Sequence, residues 1–344
     1  MIGTQIMKGQ GMGNRLFCYV TARAVAADRG AEFGVPGKEI LLSGLTGMNE
    51  EPFLDLWMGK DASPEDFDRV YEEKEERIYT GACRHDIVHG CYVAGADRGV
   101  TDAPDGTLLM GNLQDESYFA KYRGQLKDWL KVKPRYDSYE YTRDNLCVLN
   151  MRGGEYTAEP ALFLRKKYWT DAMACMKKIR KDMEFMIVTD DVEAAHKLLP
   201  GIPAFHFPVH GDYVTVKNAK YLIISNSSFA CFPAFTSETA QKIIAPKYWA
   251  RHNVSDGYWA SEQNIYSGFE YLDRNGELFC AEACREELAA YRRNSMDFAK
   301  KHEKPERFRQ KLYEAEAKGH MASYYGVRAA RSLQRRISGK QRPG

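Results

Sequence analysis

The sequence has no excess of either charge: 49 Lys and Arg meet 47 Asp and Glu, a formal net charge of +2. An average surface of that kind offers nothing to a polyanion, and no nucleic-acid partner is expected. Also missing is any uninterrupted apolar run of the ~20 residues that cross a bilayer, and the mean hydropathy is −0.53. Met1 to Met7 run into Lys8 and a glycine loop, without the basic start and long apolar stretch of a secretory signal. Cysteine is sparse, with 8 residues and no C-x-x-C pair. Cys280 and Cys284 have no His or second Cys pair nearby, so neither a disulfide framework nor a zinc site is indicated. Internal repeats and low-complexity tracts are absent too. What remains is 44% hydrophobic and 28% charged over 344 residues. That is material for roughly two domains with sizeable cores, expected in the cytoplasm with reduced thiols.

The pattern along the chain alternates strands with helices. Ile2 to Met7 reads as a buried strand, Lys8 to Asn14 as a loop, and Leu16, Tyr19, Val20, Ala24 and Ala27 as one face of a helix stopped by Gly30. Pro52 to Glu76 is acidic and helical in character, with Ser63-Pro64-Glu65-Asp66 as a helix start. Leu108 to Met110 follows as a strand and Tyr118 to Val132 as a helix. The polar stretch Lys133 to Asn145 is the expected linker. Beyond it, Leu146 to Met151, Phe185 to Thr189, Ala204 to Phe207, Tyr221 to Ile224 and Lys242 to Pro246 read as strands. Helices Lys166 to Lys181, Val192 to Leu199 and Tyr213 to Ala219 lie between them. This is the pattern of a doubly wound parallel sheet, which binds ligands beyond the carboxyl ends of its strands. From Ala281 on the chain is charged and helical. It ends in Arg328, Arg331, Arg335, Arg336, Lys340 and Arg342 without an acid, a tail suited either to solvent or to an anionic membrane face.

Several constellations compete for a functional role. Gly9-Gln10-Gly11-Met12-Gly13, with Glu32 further on, resembles a dinucleotide loop, but its spacing is G-x-G-x-G rather than G-x-G-x-x-G. Asp66-Phe67-Asp68 has the form of a metal-holding Asp-x-Asp, yet it falls inside the acidic helix start. Asn150-Met151-Arg152-Gly153-Gly154-Glu155 delivers one arginine from a buried strand onto a two-glycine turn. A planar guanidinium there fits phosphate oxygens, or else pairs with Glu155. Ser225-Asn226-Ser227-Ser228-Phe229 sets hydroxyls and backbone N–H groups after another strand, a place for an anion or an ordinary helix cap.

In this order the segments resemble glycosyltransferase family 11, the inverting α-1,2-fucosyltransferases that use GDP-fucose. Gly9 to Phe17 is similar to the family's G-G-L-G-N-Q-L-F, and Gly111 to Phe119 to G-Y-F-Q-S-x-x-Y-F. Asn150 to Tyr156 is similar to H-x-R-R-G-D-Y, Ile224 to Phe229 to I-x-N-S-S-F, Ile244 to Trp249 to I-x-P-x-x-W, and Thr189-Asp190-Asp191 to S-D-D. The chain departs from the pattern at Asn150, Gly153, Glu155 and Cys231-Phe232, which marks a distant member. The resemblance implies an α/β GT-B fold: an acceptor-side domain over residues 1–135 and a nucleotide-sugar domain over 145–265, both Rossmann-like and facing a cleft. A helical extension would follow over 280–344. It implies fucosyl transfer to a glycan hydroxyl without a metal or other cofactor. Arg152 would meet the diphosphate with Ser227, Ser228, Phe229, Gly13 and Asn150 around it. Asp212 would receive the N–H groups of guanine, Asn14 would orient the sugar or acceptor, and Glu155 or Glu159 would be the carboxylate beside the reaction. The acceptor would be a surface glycan, lipid-linked if the tail holds the enzyme on the inner membrane face. Two other readings stand beside this one: a nicotinamide-dependent oxidoreductase built on the Gly9–Gly13 loop, and a non-catalytic carbohydrate- or membrane-associated protein.

Overall fold

The computed structural model of the chain describes residues 1–46, 51–74, 76–78, 91–93, 95–255, 259 and 262–301, with short stretches between 311 and 330. The basic side chains from Arg328 to Arg342 lie outside the described residues, as does the membrane role assigned to them. No described helix is long and apolar enough to cross a membrane.

The strands are β1 (Ile2–Thr4), β2 (Phe33–Gly34), β3 (Leu54–Asp55), β4 (Arg69–Glu72), β5 (Glu76–Ile78), β6 (Cys91–Val93), β7 (Thr107–Met110) and β8 (Lys131–Val132). They continue with β9 (Leu146–Met151), β10 (Glu184–Thr189), β11 (Ala204–Phe205), β12 (Tyr221–Ile224), β13 (Lys242–Pro246), β14 (Glu270–Leu272) and β15 (Leu278–Cys280). Two sheets dominate. One is four-stranded in the order β2-β1-β7-β4 and parallel throughout. The other has seven strands in the order β11-β10-β9-β12-β13-β14-β15, parallel except for the last pair. Counted from β9, its first six strands follow the doubly wound order 3-2-1-4-5-6, which reverses direction between β9 and β12. The first sheet reverses likewise between β1 and β7.

Alternation along β9 explains how this sheet is covered on both faces. Leu146 and Val148 belong to one apolar cluster, and Cys147, Leu149 and Met151 to a second beneath the Lys166–Ile179 helix. The first cluster runs on into the other sheet without a seam. Phe17, on helix α1 (Met12–Arg29), has its ring 4.6 Å from Phe232 and 5.9 Å from Tyr266. Helix α1 ends where Gly30 takes the left-handed conformation, φ 62°, and its N–H bonds the carbonyls of Ala26 and Ala27. Polar clamps reinforce the join. Buried Glu116 is paired with Arg123 and with Arg285 (2.8 Å), and it accepts the Ser267 N–H at 2.7 Å. Glu73, also buried, accepts from Leu113 N, Tyr118 Oη and Gln263 Nε2, each at 2.8 Å.

Three expectations need correction. The acidic stretch from Pro52 to Glu76 is not a helix. Asp66 turns back to close a capping box on Ser63, so one 3₁₀ turn forms (Pro64–Asp66), and β4 follows paired with β7. Tyr118 to Val132 breaks into 3₁₀ turns and a single α turn, Leu126–Trp129, with Gly124 inside the stretch. The Lys133–Asn145 segment, the expected linker, is docked. Asp137 accepts from Lys217 (3.2 Å) and from Asn218 Nδ2 (2.8 Å), and Tyr136 is buried against His210. The seven-stranded sheet, moreover, extends through residue 280, past the expected edge at 265.

Candidate functional site

Both reversal points carry the residues that the sequence singles out. After β9 the chain presents Arg152, whose backbone N–H donates to Ser225 Oγ after β12 at 3.2 Å. The guanidinium is held from two sides. Nη1 meets Asp190 Oδ2 at 2.7 Å, Nη2 pairs with Glu155, and the Tyr156 ring lies 5.6 Å beneath it. Burial alone would lower the pKa of Arg152, but Asp190 and Glu155 outweigh it and the net shift is upward. So the salt bridge with Glu155 forms, and Asp190 joins it. Asp190 also accepts the Gly153 N–H at 2.7 Å. Gly153 has no room for a side chain: a Cβ there would sit 2.5 Å from the Cβ of Asp191, the residue that caps the Val192–Leu198 helix.

The β12 loop is spent largely on the protein itself. Ser227 caps the turn through the Phe229 N–H (3.4 Å), and Asn226 Nδ2 donates to the Leu162 carbonyl at 2.9 Å. Ser228 Oγ donates to Asn14 Oδ1 at 2.5 Å, and Gln114 Nε2 donates to the same oxygen at 3.0 Å. Loops after β1, β7 and β12 therefore converge on one side-chain oxygen. Gly13 shows how tightly they pack, because its missing Cβ would lie 2.3 Å from the Ser228 carbonyl carbon and 2.6 Å from Phe229 N. The space that a glycine clears here is filled by backbone. Phe229 sits with its ring edge-on to Tyr213, 6.5 Å away.

Asp212, on the Val209–Lys217 helix, is 7% exposed. Its Oδ1 accepts the Phe207 N–H at 2.9 Å and its Oδ2 pairs with His206 Nδ1 at 3.1 Å. Burial raises its pKa to about 6 against these hydrogen bonds, and the charge of Asp190 adds to the rise. Beside it Phe205 and Phe207 stack at 5.5 Å, with Tyr141 5.6 Å from Phe207. Asn150 is buried on β9, level with Val188 and Ile224, where the row of Leu146 and Val148 meets the strand's carboxyl end. Glu159 is half-buried at the end of the Gly154–Ala158 turn.

The structure thus brings Arg152, Glu155 and Ser225 together at one reversal point, and Asn14, Gly13 and Ser228 at the meeting of both. Asp212 joins the first group through the field of Asp190. Gln114 and His206 are the participants that sequence reasoning left without a part in the site. Asp190 was legible as a strand-end acid followed by a second Asp, but without a partner; the structure pairs it with Arg152 and the Gly153 N–H. Elsewhere, Glu32 is ion-paired with Lys60 at 3.0 Å. No three His, Cys, Asp or Glu side chains among the described residues are grouped to hold a metal ion.

No family model and no curated protein matches the chain. Solved structures similar to it include NodZ α-1,6-fucosyltransferase soaked with GDP-fucose (TM-score 0.34) and the fucosyltransferase NodZ from Bradyrhizobium (TM-score 0.35). Each is 12% identical and spans 71% of this chain and 94% of its own. At that identity no substrate and no residue role passes from those proteins to this chain.

Proposed function

We propose that the chain is a GT-B glycosyltransferase that moves the sugar of a GDP-sugar, fucose first, onto a glycan hydroxyl with inversion and without a metal. The observation that carries this reading is the reversal point of the seven-stranded sheet. It is flanked by Arg152 and the Ser225–Ser228 loop, the place where a doubly wound sheet holds a nucleotide.

A guanidinium has five N–H donors. Asp190 and Glu155 take one nitrogen each, so N–H groups remain for diphosphate oxygens. Glu155 is the more exposed partner, 43% against 28% for Asp190, and is the one a phosphate displaces. In the reaction the bond from the sugar's anomeric carbon to the phosphate oxygen breaks. The acceptor oxygen bonds to the opposite face, and the hydroxyl proton passes to a carboxylate. Arg152 stabilises the growing charge on the diphosphate, and a charge-assisted bond of that kind contributes ~1.5–3 kcal/mol. Glu155, released from Arg152, and Glu159 are the carboxylates at hand for the proton. The paired N–H donors of guanine suit Asp212, with an aromatic face at Phe207. Asn14, held by Ser228 and Gln114, orients the acceptor from the first sheet.

The test is calorimetric titration with GDP, UDP and NAD, with transfer from GDP-fucose followed in parallel. GDP alone should bind, Arg152→Ala should weaken it about ten- to hundredfold, and EDTA should leave transfer unchanged. Binding of NAD in place of GDP, or transfer lost to EDTA and restored by Mn²⁺, overturns the reading.

A further inference from the structure

We infer that the cavity at the carboxyl ends of β13 and β14 is a second ligand site, built for a small phosphorylated polyol. It encloses 280 Å³ and lies on the far side of the seven-stranded sheet from Asp212, against the start of the Lys166–Ile179 helix. That volume is just under the ~300–1,000 Å³ of ordinary small-molecule pockets, so the ligand is one ring or a short chain.

The floor of the cavity is acceptor-rich. His252 is 4% exposed, and its Nδ1 lies 2.9 Å from the Lys247 carbonyl. A carbonyl only accepts, so Nδ1 carries the proton and Nε2 carries a lone pair. Nε2 has no hydrogen-bond partner among the described residues. Burial lowers the ring's pKa to about 4, and the nearby arginines, Arg274 and Arg165, push the same way, so the imidazole is neutral at physiological pH. Asp273 stands beside it. Its Oδ1 already accepts the N–H groups of Asn275 (2.8 Å) and Glu277 (2.9 Å), while Oδ2 accepts only a longer bond from Asn275 Nδ2 (3.3 Å). A hydroxyl can donate to Nε2 and to Oδ2, which a bare anion cannot do.

Cations, by contrast, gather at the rim. The helix of 14 residues begins with Arg165 at its N-cap, no side-chain cap and no acid in its first turn. Positive charge at a helix N-terminus is unfavourable unless an anion meets it. The Lys167 charge is answered by Asp171. The Arg165 guanidinium is not, for it has no partner among the described residues. Arg274 lines the same cavity, its Nη1 donating to the Ser255 carbonyl at 2.6 Å. Donors at the rim and acceptors with capacity left at the floor, His252 Nε2 and Asp273 Oδ2, fit a ligand with an anionic end and a hydroxyl end.

The test is titration of the full chain with glucose 6-phosphate, glycerol 3-phosphate, inorganic phosphate and glucose. The phosphorylated polyols should bind saturably, about tenfold or more tighter than inorganic phosphate or glucose. Arg165→Ala removes a side chain on which the fold does not rest and should cost about ten- to hundredfold. His252→Phe should erase the advantage over inorganic phosphate, and the ¹⁵N signal of Nε2 should move when glucose 6-phosphate binds. Arg152→Ala should change none of this, which separates the cavity from the nucleotide site. Equal binding of inorganic phosphate, or affinity that survives Arg165→Ala, overturns the proposal, as does the absence of saturable binding at millimolar concentration.

Discussion

Replacing Gly13 by alanine tests whether the two sheets meet at the candidate site as tightly as the structure has them. The new Cβ would stand 2.3 Å from the Ser228 carbonyl carbon, 2.4 Å from its oxygen and 2.6 Å from Phe229 N, all backbone atoms that cannot rotate away. Ordinary contact begins at 3.4 Å, so the loops must part by roughly 1 Å. That displacement stretches the 2.5 Å bond from Ser228 to Asn14 to its limit. The lost bond is worth ~1 kcal/mol and the overpacking ~1–3 kcal/mol. Alanine's better helix propensity returns ~1 kcal/mol, leaving a net cost of ~1–3 kcal/mol. At ~2 °C per kcal/mol for a large chain, Tm should fall by about 2–6 °C. Gly11→Ala is the control, since nothing lies within 4 Å of the Cβ it would add. Differential scanning calorimetry of both variants checks this, with GDP titrated afterwards. Equal melting of Gly13→Ala, Gly11→Ala and the parent chain would refute the packing, and with it the convergence of loops on Asn14.

Protonation of Asp212 should be visible in binding. With its pKa raised to about 6, only the ionised fraction can accept two guanine N–H donors. GDP affinity should therefore be level above that pH and fall toward tenfold per unit below it; Asp212→Asn should bind weakly at every pH, and a parent profile flat from pH 5 to 7 contradicts the assignment. The same shift bears on stability. The folded-state pKa lies above the unfolded value, so the contribution of Asp212 is fully present below about pH 4 and is lost as pH rises through about 6. Chemical denaturation across that window should show the loss in the parent and not in Asp212→Asn. Glu116→Gln leaves Arg123 and Arg285 facing a neutral group. Both arginines are about one-third exposed, so the cost should be ~2–3 kcal/mol rather than the larger loss of a fully buried pair. A urea midpoint unmoved by that substitution would show that the clamp between the halves carries no load.

Where local rules decide the structure, the sequence was legible. The helix stopped by Gly30, the fully buried β9 and the capped turn at Ser63 follow from periodicity, a left-handed glycine and a capping hydroxyl. The run from Tyr118 was not legible, because its breakdown into short turns depends on packing Phe119 against the distant rings of Phe17, Phe232 and Phe235. Arg152 and the Ser225–Ser228 loop could be placed at strand ends, since a parallel sheet puts them there. Their partners could not. Asp190 lies 37 residues from the backbone N–H it receives, and Asn14 lies 214 from the hydroxyl that donates to it. No window on the sequence joins such pairs.

The glycine loop shows why a motif alone was ambiguous. In a dinucleotide fold the loop's second glycine is small so that a pyrophosphate can approach the backbone. Gly11 is open in that sense, with nothing around it, but Gly13 is small because the Ser228–Phe229 backbone occupies the space. The same letters answer two different steric demands, and only the neighbour separates them. Here that neighbour is the loop after β12, on the sheet that carries Arg152. The first sheet therefore reaches that loop through Asn14, and the same sheet that carries the loop holds the guanidinium between Asp190 and Glu155.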